Sequence, residues 1–90
     1  MPFFIIERNY ADEVQVPLES APDINLINDE ENVRWLYSFL SLDHRKSYCL
    51  YEAPSIEAIR AAAVRAGMPA DSIVEVTGRV MPTGQLVPVT

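Results

Sequence analysis

The sequence predicts one α+β domain in which the elements run strand, helix, strand, strand, helix, strand. Three observations carry this reading. The stretch from Tyr48 to Pro69 reads as a strand, a two-residue break, a capped helix and a glycine stop. Asp43-His44-Arg45 is a polar turn between two apolar arms, the signature of a hairpin. Phe3 to Arg8 and Ser72 to Val76 are short apolar runs before and after these elements, each too short for a helix.

Phe3-Phe4-Ile5-Ile6-Glu7-Arg8 is a continuous apolar run closing in charge, as expected of a strand covered on both faces. Pro17 and Pro22 punctuate the acidic segment that follows, and Ile24 and Ile27 begin a helical period, so a first helix is expected within 17–32. Its apolar stripe is thin: Val16, Leu18, Ile24, Leu26 and Ile27. Val33 to Leu42 then alternates with aromatic and β-branched groups on one face (Val33, Trp35, Tyr37, Phe39) and leucines on the other. Lys46 to Glu52 is the second arm of the hairpin, with Lys46, Tyr48, Leu50 and Glu52 on one face and Ser47, Cys49 and Tyr51 on the other.

Ala53-Pro54 ends that arm, because proline has no N–H for a ladder. Ser55 is the expected N-cap, Glu57 lies in the first turn where the helix dipole favours an anion, and Ile56, Ile59 and Ala63 recur at helical spacing. Gly67 supplies the left-handed stop and Pro69 the breaker. Residues 1–76 thus form the domain, and 77–90, with two glycines and two prolines, a C-terminal tail. This order matches the split βαβ, or ferredoxin-like, motif: a four-stranded antiparallel sheet with both helices on one face.

Ninety residues make one domain close to the size at which a single core suffices, and a hydrophobic content of 49% is too high for disorder. With 7 basic against 13 acidic residues, the net charge is −6. That repels phosphate backbones and excludes a nucleic-acid partner. No apolar stretch reaches the length of a membrane span, and Met1 to Ile6 reads as strand and not as a signal peptide. One cysteine allows no intrachain disulfide, and a cytoplasmic protein is expected.

Two helices cover one face of such a sheet and leave the other open. The two hairpin arms carry Trp35, Leu36, Tyr37, Phe39, Leu40, Tyr48, Leu50 and Tyr51, more bulk than one face takes. At roughly 25 cal/mol per Å², leaving several of them wet forgoes several kcal/mol, a large share of a small domain's stability. A homodimer of the αβ-barrel kind, stacking or extending the sheets around a shared core, is the expected solution. The alternative is that Val80, Met81, Leu86, Val87 and Val89 of the tail fold back over the open face.

Candidate chemistry is sparse. No phosphate loop, paired-ligand metal spacing or nucleophile elbow occurs. Cys49, in an apolar strand, reads as a core residue. For a metal the candidates are His44 with Asp43 and Glu52; one histidine does not make a tight transition-metal site alone, although a dimer brings two. For a ligand pocket the candidates are Glu7, Tyr48 and Trp35. Glu7 and Glu52 are expected at one edge of a cavity between sheet and helices, with Arg8 and Arg34 as partners.

The blocks Trp35 to Ser41, Asp43 to Ser55 (with Tyr-Cys-Leu-Tyr-Glu-Ala-Pro-Ser), Glu57 to Arg60 and Arg65 to Ala70 resemble a bacterial family of small domains of unknown function often labelled nickel-binding. The resemblance covers residues 35–76 closely and Phe3 to Arg8 loosely. It implies a ferredoxin-like fold, a homodimer, a cytoplasmic location and nickel as a bound metal, but it carries no ligand position onto this chain. Three functions are open: a non-catalytic homodimeric binding module for nickel or a small molecule, a small cofactor-independent enzyme of the dimeric αβ-barrel type, and a structural or regulatory interaction protein.

Overall fold

The computed structural model describes residues 1–10 and 21–90. The part of the expected first helix that falls in 11–20 lies outside them. The elements are β1 (Phe3–Asn9), α1 (Ala21–Glu30), β2 (Arg34–Leu40), β3 (Lys46–Glu52), α2 (Ile56–Ala66), β4 (Ser72–Val76), β5 (Arg79–Val80) and β6 (Leu86–Val87). The first four strands form one antiparallel sheet in the order β2-β3-β1-β4, the order of the ferredoxin-like motif. β5 and β6 form a separate two-stranded hairpin.

Register on the central pair decides the two faces. Phe4 pairs with Tyr51, Ile6 with Cys49 and Arg8 with Ser47. All six are buried, and Ile59 and Ala62 of α2 join Phe4, Ile6, Cys49 and Tyr51 in the core cluster. Ile27 of α1 and Ile56 of α2 pack against that cluster, so both helices cover this face. The alternate residues Phe3, Ile5 and Glu7 of β1 point the other way, opposite Glu52, Leu50 and Tyr48.

β2 changes face part-way. Trp35 pairs with Tyr51 on the helix side, a register shift follows, and Tyr37 then pairs with Leu50 and Phe39 with Tyr48 on the open side. The unbroken alternation expected for Trp35, Tyr37 and Phe39 is therefore interrupted by one extra residue. The hairpin between β2 and β3 is closed by Asp43, whose Oδ1 accepts from Ser41 Oγ at 2.6 Å and from the Arg45 amide at 3.1 Å. These two bonds, the hydroxyl first, hold its carboxyl below the usual range.

α2 is bounded as its sequence specifies. Ser55 Oγ accepts from the Ala58 amide at 3.2 Å. At the other end Gly67, at φ 67°, gives its N–H to the Val64 carbonyl, and Met68 gives its N–H to Ala63. That double bond pattern needs a left-handed residue at the stop. α1 and α2 are tied at their surface by Arg65, which reaches Glu30 at 2.9 Å and Glu31 at 3.1 Å.

Removing the two ends of α2 separates their contributions. Ser55→Ala and Gly67→Ala are each expected to cost about 1 kcal/mol, the first through an unpaired N–H and the second through backbone strain. Urea unfolding checks both values, and their sum in the double variant, because the two sites lie at opposite ends of the helix.

Candidate functional site

The antiparallel register separates residues that the sequence grouped. Glu7 lies opposite Tyr48, whereas Glu52 lies opposite Phe3. Four residues of strand set the two carboxylates about 13 Å apart, at different ends of the sheet. Both face away from the helices, so they do not edge a cavity between sheet and helices. Glu7 Oε1 lies 3.7 Å from Lys46 Nζ, and Glu52 Oε1 lies 3.7 Å from Arg34 Nη1. Of the pocket candidates, Glu7 and Tyr48 are neighbours on the open face, with Lys46 Nζ 5.8 Å from the Tyr48 ring centroid. Trp35 is on the opposite side of the sheet, its indole N–H donating to Ser38 Oγ at 2.9 Å.

The metal candidates divide in the same way. Asp43 and His44 belong to the hairpin turn, His44 in the left-handed region at φ 60°. Glu52 is at the far end of β3, six residues or about 20 Å beyond Lys46. Asp43 is already committed to Ser41 and Arg45. Among the described residues no group of three or more histidine, cysteine or acidic side chains is placed to hold a metal ion. The donors among the described residues of one copy do not fit a nickel centre. Cys49, buried in the core with Ser47 Oγ 3.6 Å from its sulfur, is not open to solvent metal.

Two features remain. The first is the open sheet face. Phe39 is 67% and Tyr37 47% exposed, and their rings meet edge to face at 5.7 Å. Tyr48, opposite Phe39, is exposed as well, and so is Val74 on β4 at the other edge of the sheet, with Ile5 and a Leu50 that is only 4% exposed between the two edges. Of the tail's apolar groups, Val80, Met81 and Leu86 of the β5–β6 hairpin are exposed, whereas Val89 is buried.

The second is on the helix side and was not anticipated. Arg8, 2% exposed, extends beneath α1 and α2. Its Nη1 donates to the Pro69 carbonyl at 2.5 Å, its Nη2 lies 3.5 Å from Tyr51 Oη, and its Cζ is 5.7 Å from the Tyr51 ring centroid. Its Nε has no partner, and neither does Asn28 Nδ2, 4% exposed, on α1. Among the described residues no carboxylate pairs with Arg8. Burial pushes the Tyr51 hydroxyl above its ordinary value, only partly opposed by Arg8, so Tyr51 stays neutral and leaves the cation uncompensated. A buried charge in that condition costs several kcal/mol. The signal was present in the alternation: Arg8 continues the series Phe4, Ile6, which is the inward series.

The matches to known proteins join this geometry. A family model described as nickel responsive protein SCO4226-like matches residues 4–76. The chain belongs to that family. The crystal structure of SCO4226 from Streptomyces coelicolor A3(2) superposes with a TM-score of 0.70 at 30% identity, over 82% of this chain and 94% of that one. No curated protein sequence matches.

The state of Tyr51 sets an alkaline limit on the fold. Its folded pKa is raised, so the unfolded chain releases the proton first, and stability present below about pH 10 is lost as pH rises towards the folded value. Tyr51→Phe is expected to remove this part of the alkaline loss, seen as a shallower fall of the melting temperature above pH 10.

Proposed function

We propose that this member of the nickel-responsive family is a non-catalytic homodimeric binding module, with the open sheet face as the surface where two copies meet. The observation that carries the reading is that Tyr37, Phe39, Tyr48 and Val74, which share one face of the sheet with the buried Leu50, are all exposed. Aromatic groups clustered with an aliphatic centre are the composition of an interface core. A two-fold pairing presents the same patch from both copies, so each exposed ring gains a cover that a single chain does not supply. The ion pairs at the margins, Glu7 with Lys46 and Glu52 with Arg34, give the patch a polar rim. The exposed apolar groups of the β5–β6 hairpin are further surface for the same partner.

Nickel responsiveness belongs to the family's name. In this reading it comes to the chain without a tight site in one copy, because a single imidazole and solvated carboxylates are weak ligands for nickel. An acid–base enzyme is less well supported, since the carboxylates proposed for it are engaged with Lys46 and Arg34 on the solvent side of the sheet.

Sedimentation of the full chain at micromolar concentration is expected to give a dimer. Phe39→Asp combined with Val74→Asp is expected to give a monomer that keeps the circular-dichroism spectrum; a wild-type monomer would remove the proposal. Calorimetric titration of tag-free protein with nickel is expected to show no micromolar binding, and His44→Ala to leave that result unchanged. Saturable micromolar heat that disappears in His44→Ala would restore a direct metal site.

A further inference from the structure

We infer that the space between the sheet and the two helices is a binding site for one small monovalent anion, held by Arg8 and Asn28. This rests on the helix side of the sheet and is independent of self-association at the other face. Three observations carry it. The Arg8 guanidinium is almost fully buried and has no carboxylate partner among the described residues. Two buried donors, Arg8 Nε and Asn28 Nδ2, are without acceptors. Both side chains line the same cavity, whose remaining lining is apolar apart from Tyr51: Ile24, Ile59 and Met68 among others.

The chemistry selects the occupant. Both vacant groups are N–H donors, so the occupant accepts hydrogen bonds and a cation is excluded. Water satisfies donors but not charge, and Tyr51 is kept neutral by burial. An anion satisfies both in one step, and the low-dielectric surroundings strengthen its attraction to the guanidinium. The free space is about 10 Å³, room for a group the size of one water. That excludes phosphate, sulfate, nucleotides and carboxylates, each of three or more heavy atoms, and leaves a monatomic anion, a halide. Pro69 holds Nη1, and the vacant Nε belongs to the same guanidinium that lines the cavity.

The test uses the full chain in low-salt buffer, with sodium formate and sodium chloride as separate probes. The Arg8 Nε–H resonance is followed by NMR and the melting temperature by calorimetry. With chloride, a saturable shift of the Nε–H signal and a rise of about 5 °C or more in melting temperature are expected at saturation. Formate, too large for the space, is expected to produce neither, and a formate response equal to that of chloride would overturn the assignment. Arg8→Met is expected to fold, because an apolar side chain of similar length replaces an unpaired charge, and to lose the anion response. Asn28→Asp places a carboxylate beside the guanidinium. It is expected to melt higher than wild type and to ignore added anion, which keeps the test open even if Arg8→Met does not fold. An Nε–H signal unmoved by chloride up to several hundred millimolar, or an Asn28→Asp variant that responds to chloride as wild type does, would overturn the site.

Discussion

The alternation of β1 between two unlike environments governs the molecule. β1 is an inner strand of the sheet, paired with β3 on one side and β4 on the other. Its even-numbered residues Phe4, Ile6 and Arg8 enter the helix-covered layer, and its odd-numbered residues Phe3, Ile5 and Glu7 form the opposite surface. A slip of one residue would exchange Arg8 for Glu7 under the helices and expel Phe4 and Ile6 from the core. Because β3 and β4 both take their register from β1, the buried cluster, the open face and the position of the unpaired cation are consequences of one choice.

The two faces are therefore of different chemical kinds. The covered one is a small aliphatic and aromatic core with a polar inclusion at the Arg8 end. Its α2 side is built from Ile59, Ala62 and Ala63, and short side chains let the helix approach the sheet closely. The other face exposes Tyr37, Phe39, Tyr48 and Val74 beside a buried Leu50, apolar groups of the kind that mark interaction surfaces when they gather in a patch. The proposed anion site belongs to the first, and the proposed contact with another copy to the second. They are linked only through β1 and β3, whose neighbouring residues face opposite ways.

Membership of the nickel-responsive family fits the fold and leaves the chemistry to this chain's own residues. The relative of known structure shares the chain's architecture over most of its length. The donors a nickel centre requires are scarce here: one histidine, at a hairpin turn, and one cysteine, in the core. The more demanding buried group is a cation, Arg8, and a site organised around a guanidinium calls for the opposite charge to a metal.

The sequence by itself determined the four strands of the main sheet and α2 with both its ends; it placed α1 only within 17–32 and did not announce the β5–β6 hairpin. Ser55 and Gly67 bound α2, Asp43 to Arg45 turn the hairpin, and Lys46 to Glu52 and Ser72 to Val76 are strands, because capping, turn and propensity signals act within a few residues of one another. Strand order was also legible from the succession of elements. What depends on long-range pairing was not. The strand ends Glu7 and Glu52 look alike in sequence, yet antiparallel register sends them to opposite ends of the sheet. The register shift after Trp35 moves Tyr37 and Phe39 to the open side, and no local signal marks it. Arg8 reads as the charged close of a strand, and only the helices lying over its face make it a buried cation. Burial is decided by what the rest of the chain lays over a residue, so tertiary structure alone turned an ordinary arginine into the most constrained group in the protein.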